Sequence, residues 1–145
     1  ALDKFAVACG GGTNHRFALY DGILLKDNHV AAAGGVAAAV AAALAGNASG
    51  MRIQVEVESL EDAERACDVG AEFLLLDNQT PDQVRAIVER LGDRAELEAS
   101  GGITLENLKR YAETGVHRIS LGALTHSAPA ADVALEIEAM GDSDD

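Results

Sequence analysis

Lysine is scarce in this chain. There are three, Lys4, Lys26 and Lys109, within a basic total of 11 that faces 24 acidic residues. The resulting net charge of −13 argues against non-specific nucleic-acid binding, which needs an excess of Lys and Arg. Aromatic residues make up 3% of the chain and tryptophan is absent, so alanine and aliphatic side chains must fill the core. Two cysteines, Cys9 and Cys67, supply neither a disulfide framework nor a metal quartet. They read as incidental thiols of a reduced, cytoplasmic protein. The longest apolar run, Val30 to Ala45, is mostly alanine and is broken by Gly34-Gly35. It is too short and too weakly apolar to span a bilayer. The amino end carries no signal-peptide pattern. An acidic, lysine-poor, alanine-rich composition fits a protein of a high-salt cytoplasm.

What the chain does have is concentrated near its start. Cys9-Gly-Gly-Gly-Thr-Asn-His-Arg16 runs on through Tyr20-Asp-Gly-Ile-Leu-Leu-Lys26-Asp-Asn-His29. A His-Arg pair and a lysine at such close spacing suit a small, multiply charged anion. The triple glycine suits a backbone that bends sharply or lets a ligand approach.

The length of 145 residues allows one domain with a core. Hydrophobic pattern and breakers divide it into repeated strand–helix units. Strands are expected at Gly22–Lys26, Arg52–Glu58, Glu72–Asp77, Ala95–Ser100 and Arg118–Gly122. Helices are expected at Val30–Ala45, Leu60–Val69, Pro81–Leu91, Leu105–Thr114 and Ala128–Met140, with an earlier one near Leu2–Val7. Ser59 and Thr80 stand as N-caps before acidic first turns, with Gln83 placed for a capping box and Pro81 at the tolerated first position. Gly70, Gly92 and Gly115 stand where helices should end. Strict alternation implies α/β architecture with a parallel sheet. About five βα units are too few for a closed eight-stranded barrel of roughly 250 residues. The expectation is an incomplete parallel β/α barrel over residues 1–140, followed by an acidic disordered tail at 141–145.

Strand alternation then sorts the polar residues. Ile53, Val55 and Val57 take one face, and Gln54, Glu56 and Glu58 the other. Asp77 shares a face with Leu75 and Phe73. Glu96, Glu98 and Ser100 oppose Leu97 and Ala99, while Ser120 and Gly122 oppose Ile119 and Leu121. Lys26, Glu56, Glu58, Asp77, Ser100 and Gly122 therefore gather near the carboxyl ends of successive strands, where such folds place their sites. The Ser100-Gly-Gly102 and Gly122-Ala123 turns suit a phosphate held by backbone N–H groups. Adjacent carboxylates suit a hard cation such as Mg²⁺ or a cationic transition state.

Several stretches also resemble one family: Cys9–Val30, Val55–Ser59, Leu76–Asn78, Glu98–Leu105, Tyr111–Gly115 and Ile119–Pro129. The most specific are GGGTNHR, LYDGILLKDNH, EASGGIT and GALTHSAPA. In this order they resemble the quinolinate phosphoribosyltransferases, over nearly the whole chain. The resemblance implies transfer of phosphoribose from phosphoribosyl pyrophosphate to quinolinate, with loss of CO₂ and a requirement for Mg²⁺. It implies that His15, Arg16 and Lys26 bind the quinolinate carboxylates. It implies that Glu56 and Asp77 form the acidic pair at the phosphoribosyl pyrophosphate and metal site, with Lys26, Glu56 and Asp77 as the catalytic set. Ser100, Gly101, Gly122 and His126 would surround the 5′-phosphate, with Glu98 a lumen neighbour. It further implies a homodimer and an N-terminal domain. The family's Arg-Lys-Thr-Thr-Pro-Gly segment lies ahead of the point where this chain begins, so residues 1–145 alone are expected to be inactive. Other readings are a related phosphoribosyltransferase acting on nicotinate, a paralogue associated with molybdenum transport, and a non-catalytic ligand-binding remnant.

Overall fold

The computed structural model of the chain describes residues 2–16 and 18–137. Five parallel strands form one sheet in sequential order: β1 Ile23–Leu25, β2 Ile53–Val57, β3 Phe73–Asp77, β4 Glu96–Ser100 and β5 Arg118–Ile119. Helix α1 (Leu2–Cys9) precedes them. Helices α2 (Asp27–Ala33) and α3 (Val36–Gly46) follow β1. Helices α4 (Leu60–Asp68), α5 (Pro81–Leu91), α6 (Leu108–Ala112) and α7 (Ala123–His126) each follow the next strand in turn. This is the expected series of βα units, with neighbouring strands adjacent in sequence as in a barrel.

The apolar strand face packs against the helices. Leu74, Leu76 and Leu97 have no exposed surface, and Ile87 of α5 is 1% exposed. Fully burying such a side chain is worth about 1.5–3 kcal/mol relative to leaving it in water. Alanine completes the contact, with Ala63, Ala66 and Ala99 wholly buried. Small side chains let helix and sheet approach closely, which is how a core forms with so few aromatic rings.

Local signals set the helix ends. The Ser59 hydroxyl accepts from the Asp62 N–H. Thr80 and Gln83 form the reciprocal capping box, with Pro81 in the first turn. Gly70 and Gly115 take positive φ just past α4 and α6, whereas Gly92 closes α5 in the right-handed region.

Three expectations are corrected. The single helix over Val30–Ala45 is two, α2 and α3, bent by 92°. Gly34 (φ 84°) ends the first with a left-handed cap, and Gly35 (φ 137°) turns the chain into the second. The helix over Leu105–Thr114 shortens to α6, because Asn107 folds back on the preceding turn. Its Oδ1 accepts from the Thr104 N–H and its Nδ2 donates to the Gly102 carbonyl. The helix over Ala128–Met140 does not form across Ala128–Ile137. Val133, Leu135 and Ile137 stay more than four-fifths exposed there (84%, 85% and 84%), and a short helix without a packing partner is unstable. Residues 138–145, including the expected acidic tail, lie outside the described residues. Among the described residues no single helix is long and apolar enough to cross a membrane.

Leu74→Ala should lower stability by about 2–5 kcal/mol, and Thr80→Ala by about 1 kcal/mol. Urea unfolding midpoints measure both. Equal shifts for the two would contradict this account of the core.

Candidate active site

The strand register decides which side chains share the inner face. Glu56 pairs with Leu75, Leu75 with Glu98, and Asp77 with Ser100. Gln54, Glu56, Asp77, Glu98 and Ser100 therefore project to one side, as the alternation predicts, while Val55, Leu76 and Ala99 face the helices.

At the carboxyl ends, Lys26 leaves β1 in an extended conformation and its N–H donates to His29 Nδ1 at 3.0 Å. Its Nζ stands 3.9 Å from Glu56 Oε2. The Glu56 side chain is 13% exposed, that of Lys26 57%. Burial pushes the Glu56 carboxyl above its ordinary range, and the Asp77 charge pushes it further. Lys26 opposes this, and Asp27 and Glu58 add smaller pushes in the same direction as Asp77. Two carboxylates thus share a site that one ammonium only partly neutralises. Glu58 is exposed past the end of β2 and borders a pocket with Asp27 of α2 and Asp62 of α4.

The turn after β3 is held from several sides. Asn78 takes a positive φ of 51°, donates from its backbone to the Ser100 carbonyl at 3.0 Å, and donates from Nδ2 to Asp77 Oδ2 at 2.5 Å. Gly101, at φ 89°, lies so close that a Cβ there would stand 2.7 Å from the Asn78 nitrogen. Gln79 is buried beneath, donating to the Val57 carbonyl, and its own carbonyl accepts from the Tyr111 hydroxyl. Asp77, Ser100 and Gly101 are thereby locked together at adjacent strand ends. In the turn after β5, a Cβ on Gly122 would come within 2.7 Å of His126 Nε2, so the imidazole lies over the backbone of this turn.

Deeper on the inner face, Glu98 accepts from Gln54 Nε2 at 3.0 Å and from the Ser120 hydroxyl, and pairs with His15 Nε2 at 3.5 Å. Below it, Glu96 pairs with Arg52 and Arg118, and the Arg52 guanidinium stacks 3.8 Å from the Phe73 ring centre. The GGGTNHR loop is tied to α1: Asn14 Nδ2 donates to the Lys4 carbonyl, and Lys4 Nζ to the Arg16 carbonyl. A cleft of about 490 Å³ runs between this loop and β5, lined among others by Lys4, His15, Glu98, His117, Arg118 and Gly122. Basic side chains outnumber the acidic one in that set, against the net charge of −13. Such a local reversal of sign suits an anion.

The structure divides the cationic stretch that the sequence reads as one cluster. His15 turns to Glu98. Arg16 donates to the Gly22 carbonyl at 3.4 Å, before the start of β1, whereas Lys26 stands past its end. Three contributors were missed in the sequence. Asn78, Gln79 and Tyr111 form the support under Asp77. The Asp77-Asn78 pair closing an apolar strand is a usable signal, since Asn tolerates positive φ. Nothing local marks Tyr111, which arrives from a distant helix. Among the described residues no group of three or more His, Cys, Asp or Glu side chains could hold a metal. Glu56 and Asp77 are a pair of hard oxygen donors, which fits Mg²⁺ carried largely by substrate phosphates.

A parallel βα sheet with charged groups and glycine turns at its strand carboxyl ends places the chain among the α/β-barrel folds. It belongs to the quinolinate phosphoribosyl transferase C-terminal domain family, whose model matches residues 1–136. It is 46% identical over 140 residues to the nicotinate-nucleotide pyrophosphorylase (carboxylating) of Mycobacterium leprae, covering 94% of this chain and 49% of that protein. The human protein of the same name is 38% identical over 139 residues, covering 94% of this chain and 47% of that one. The solved structure of NadC from Streptococcus pyogenes superimposes with a TM-score of 0.82 at 42% identity, covering 86% of this chain and 44% of that chain. The chain thus spans about half the length of the curated relatives it matches.

The raised Glu56 carboxyl yields a pH-dependent prediction. A carboxyl group whose folded pKa lies above its unfolded value favours the fold while protonated and loses that advantage as pH rises through the folded pKa. Glu56→Gln should therefore raise Tm at pH 7, and the gain should vanish as pH falls below the ordinary value of 4.5. Thermal melts across that range check it. A gain that grows toward acid pH would refute the assignment.

Proposed function

We propose that the protein to which this chain belongs transfers phosphoribose from phosphoribosyl pyrophosphate to quinolinate. Loss of CO₂ and pyrophosphate then gives nicotinate mononucleotide for NAD biosynthesis. The observation that carries the proposal is the pairing of Glu56 and Asp77, with Lys26 beside Glu56, at the open ends of adjacent strands in a chain of this family.

In this reading Glu56 and Asp77 would hold Mg²⁺, which would supply charge neutralisation for pyrophosphate. The same two carboxylates face the ribose and favour positive charge developing at C1. Ser100, Gly101 and the Gly122 turn, with His126 above it, take the 5′-phosphate. Lys26 and His15 bind the two carboxylates of the pyridine, lysine as a point charge and the imidazole as a directed partner. Arg16 is the third cation of the set. Its 3.4 Å bond to Gly22 is long enough to be given up to a carboxylate. The pyridine nitrogen displaces pyrophosphate at C1. The quaternised ring then stabilises the electron pair that the breaking C–C bond leaves on the ring carbon as CO₂ departs, and a proton from water takes up that pair. No side-chain nucleophile is required, and the protein's part is positioning and electrostatics. The proposal includes a homodimer, a cytoplasmic location and a high-salt setting, to which the acidic composition lends support.

Two carboxylate-binding positions favour quinolinate over nicotinate. The intact protein, given phosphoribosyl pyrophosphate and Mg²⁺, should form nicotinate mononucleotide from quinolinate and release CO₂, and should not use nicotinate. Glu56→Gln and Asp77→Asn should each lower kcat by about 100-fold or more. Residues 1–145 alone should form no product. Turnover of nicotinate in preference to quinolinate would refute the substrate assignment.

A further inference from the structure

Glu98 is a buried carboxylate to which the proposed reaction gives no task. The residue is 4% exposed, and a charge taken out of water at such a position needs partners. Its partners come from three separate elements. Gln54 of β2 reaches across β3 and donates to Oε2. Ser120, just past β5, donates to Oε1. His15, in the loop before β1, approaches the same Oε1 at 3.5 Å. Gln54 is itself 5% exposed, so the acceptor and one of its anchors are both fixed in the interior. His15, by contrast, stands at the rim, with its side chain 34% exposed. A rigid buried acceptor thus holds one nitrogen of a more exposed imidazole.

The loop's own fastenings are to α1, through Lys4 and Asn14. They fix its backbone but leave the ring of His15 to be aimed by something else. Glu98 is the acidic side chain among the described residues lining the cleft, which Lys4 and Arg118 also border. Bonding of one ring nitrogen to a carboxylate fixes the orientation of a histidine, and with it the direction in which the other nitrogen points.

We propose that Glu98, held by Gln54 and Ser120, is a positioning residue for the pyridine substrate. It orients His15 through Nε2, so that Nδ1 is presented to a substrate carboxylate. This rests on the assignment of His15 to quinolinate binding.

Steady-state kinetics of the intact protein test it, with each substrate varied in turn. Glu98→Gln should raise KM for quinolinate about tenfold, in line with the loss of one charge-assisted contact, and leave KM for phosphoribosyl pyrophosphate unchanged. Glu98→Asp, which keeps the charge but withdraws it, should fall between Gln and wild type, and it decides the matter if the Gln variant does not fold. In the His15→Gln background, Glu98→Gln should add little further loss, because the two act as one unit. A KM for quinolinate unmoved by either Glu98 variant would overturn the inference. So would equal effects on both substrates, or full additivity with His15→Gln. If His15→Gln itself leaves KM for quinolinate unchanged, the assignment of His15 fails first. If it raises KM while the Glu98 variants do not, only the present inference fails.

Discussion

Register in the β2–β3–β4 ladder is the constraint on which the rest of this structure depends. Side chains alternate with a period of two, so a slip of one residue exchanges the faces of a strand. Such a slip in β3 would drive Asp77 among the helices and turn Leu74 and Leu76 into the lumen. The apolar face prevents this, because Val55, Leu74, Leu76, Leu97 and Ala99 all lie at 0% exposure and have no other place to go. Core packing thereby fixes where Glu56, Asp77, Glu98 and Ser100 point, without any of them contributing to the core. The pairings Leu75 with Glu98 and Asp77 with Ser100 follow from the same lock.

The inner face concentrates what a stable fold would avoid. Glu56 sits beside Asp77 with a carboxyl pushed above its ordinary range by burial and by its neighbour. Glu98 is buried with a mixed set of partners. Asn78 holds a positive φ against Gly101, at a contact that leaves no room for a side chain. These features lie together at the ends of β2, β3 and β4 or just below them, and the apolar core on the other face carries their cost. Such clustering of strained and charged groups at one edge of a well-packed sheet is the usual mark of a site held ready for a charged ligand.

Much of this was legible in the sequence, for stated reasons. Strands β2 and β4 alternate cleanly, so both their location and their polar face could be read from residues 53–58 and 96–100, whereas β3 is an apolar run whose face is marked only by Asp77 at its end. The capping box at Thr80 and Gln83 fixed the start of α5 to the residue. Glu98 could be placed on the lumen face, but its partners could not, because Gln54, Ser120 and His15 come from elements brought together only by tertiary folding. Gly34-Gly35 was read as an interruption of the apolar run rather than as the 92° turn it makes. The segment after Pro129 is rich in alanine and aliphatic residues, yet Val133, Leu135 and Ile137 find no surface to cover, and composition alone does not make a helix. His15, Arg16 and Lys26 are close in sequence, but the short strand β1 separates the last from the first two.

The proposed function makes one spatial claim above all: a phosphoribosyl ligand bridges the Glu56–Asp77 pair and the glycine turns at 100–102 and 122. A crystal structure of the intact protein with a non-reactive phosphoribosyl pyrophosphate analogue, Mg²⁺ and phthalate measures this directly. The account predicts the pyrophosphate and metal against Glu56 and Asp77, the 5′-phosphate on the backbone of Gly101 and Gly122, and the phthalate carboxylates at His15 and Lys26. A 5′-phosphate seated away from both glycine turns, or a metal held without either carboxylate, would contradict it.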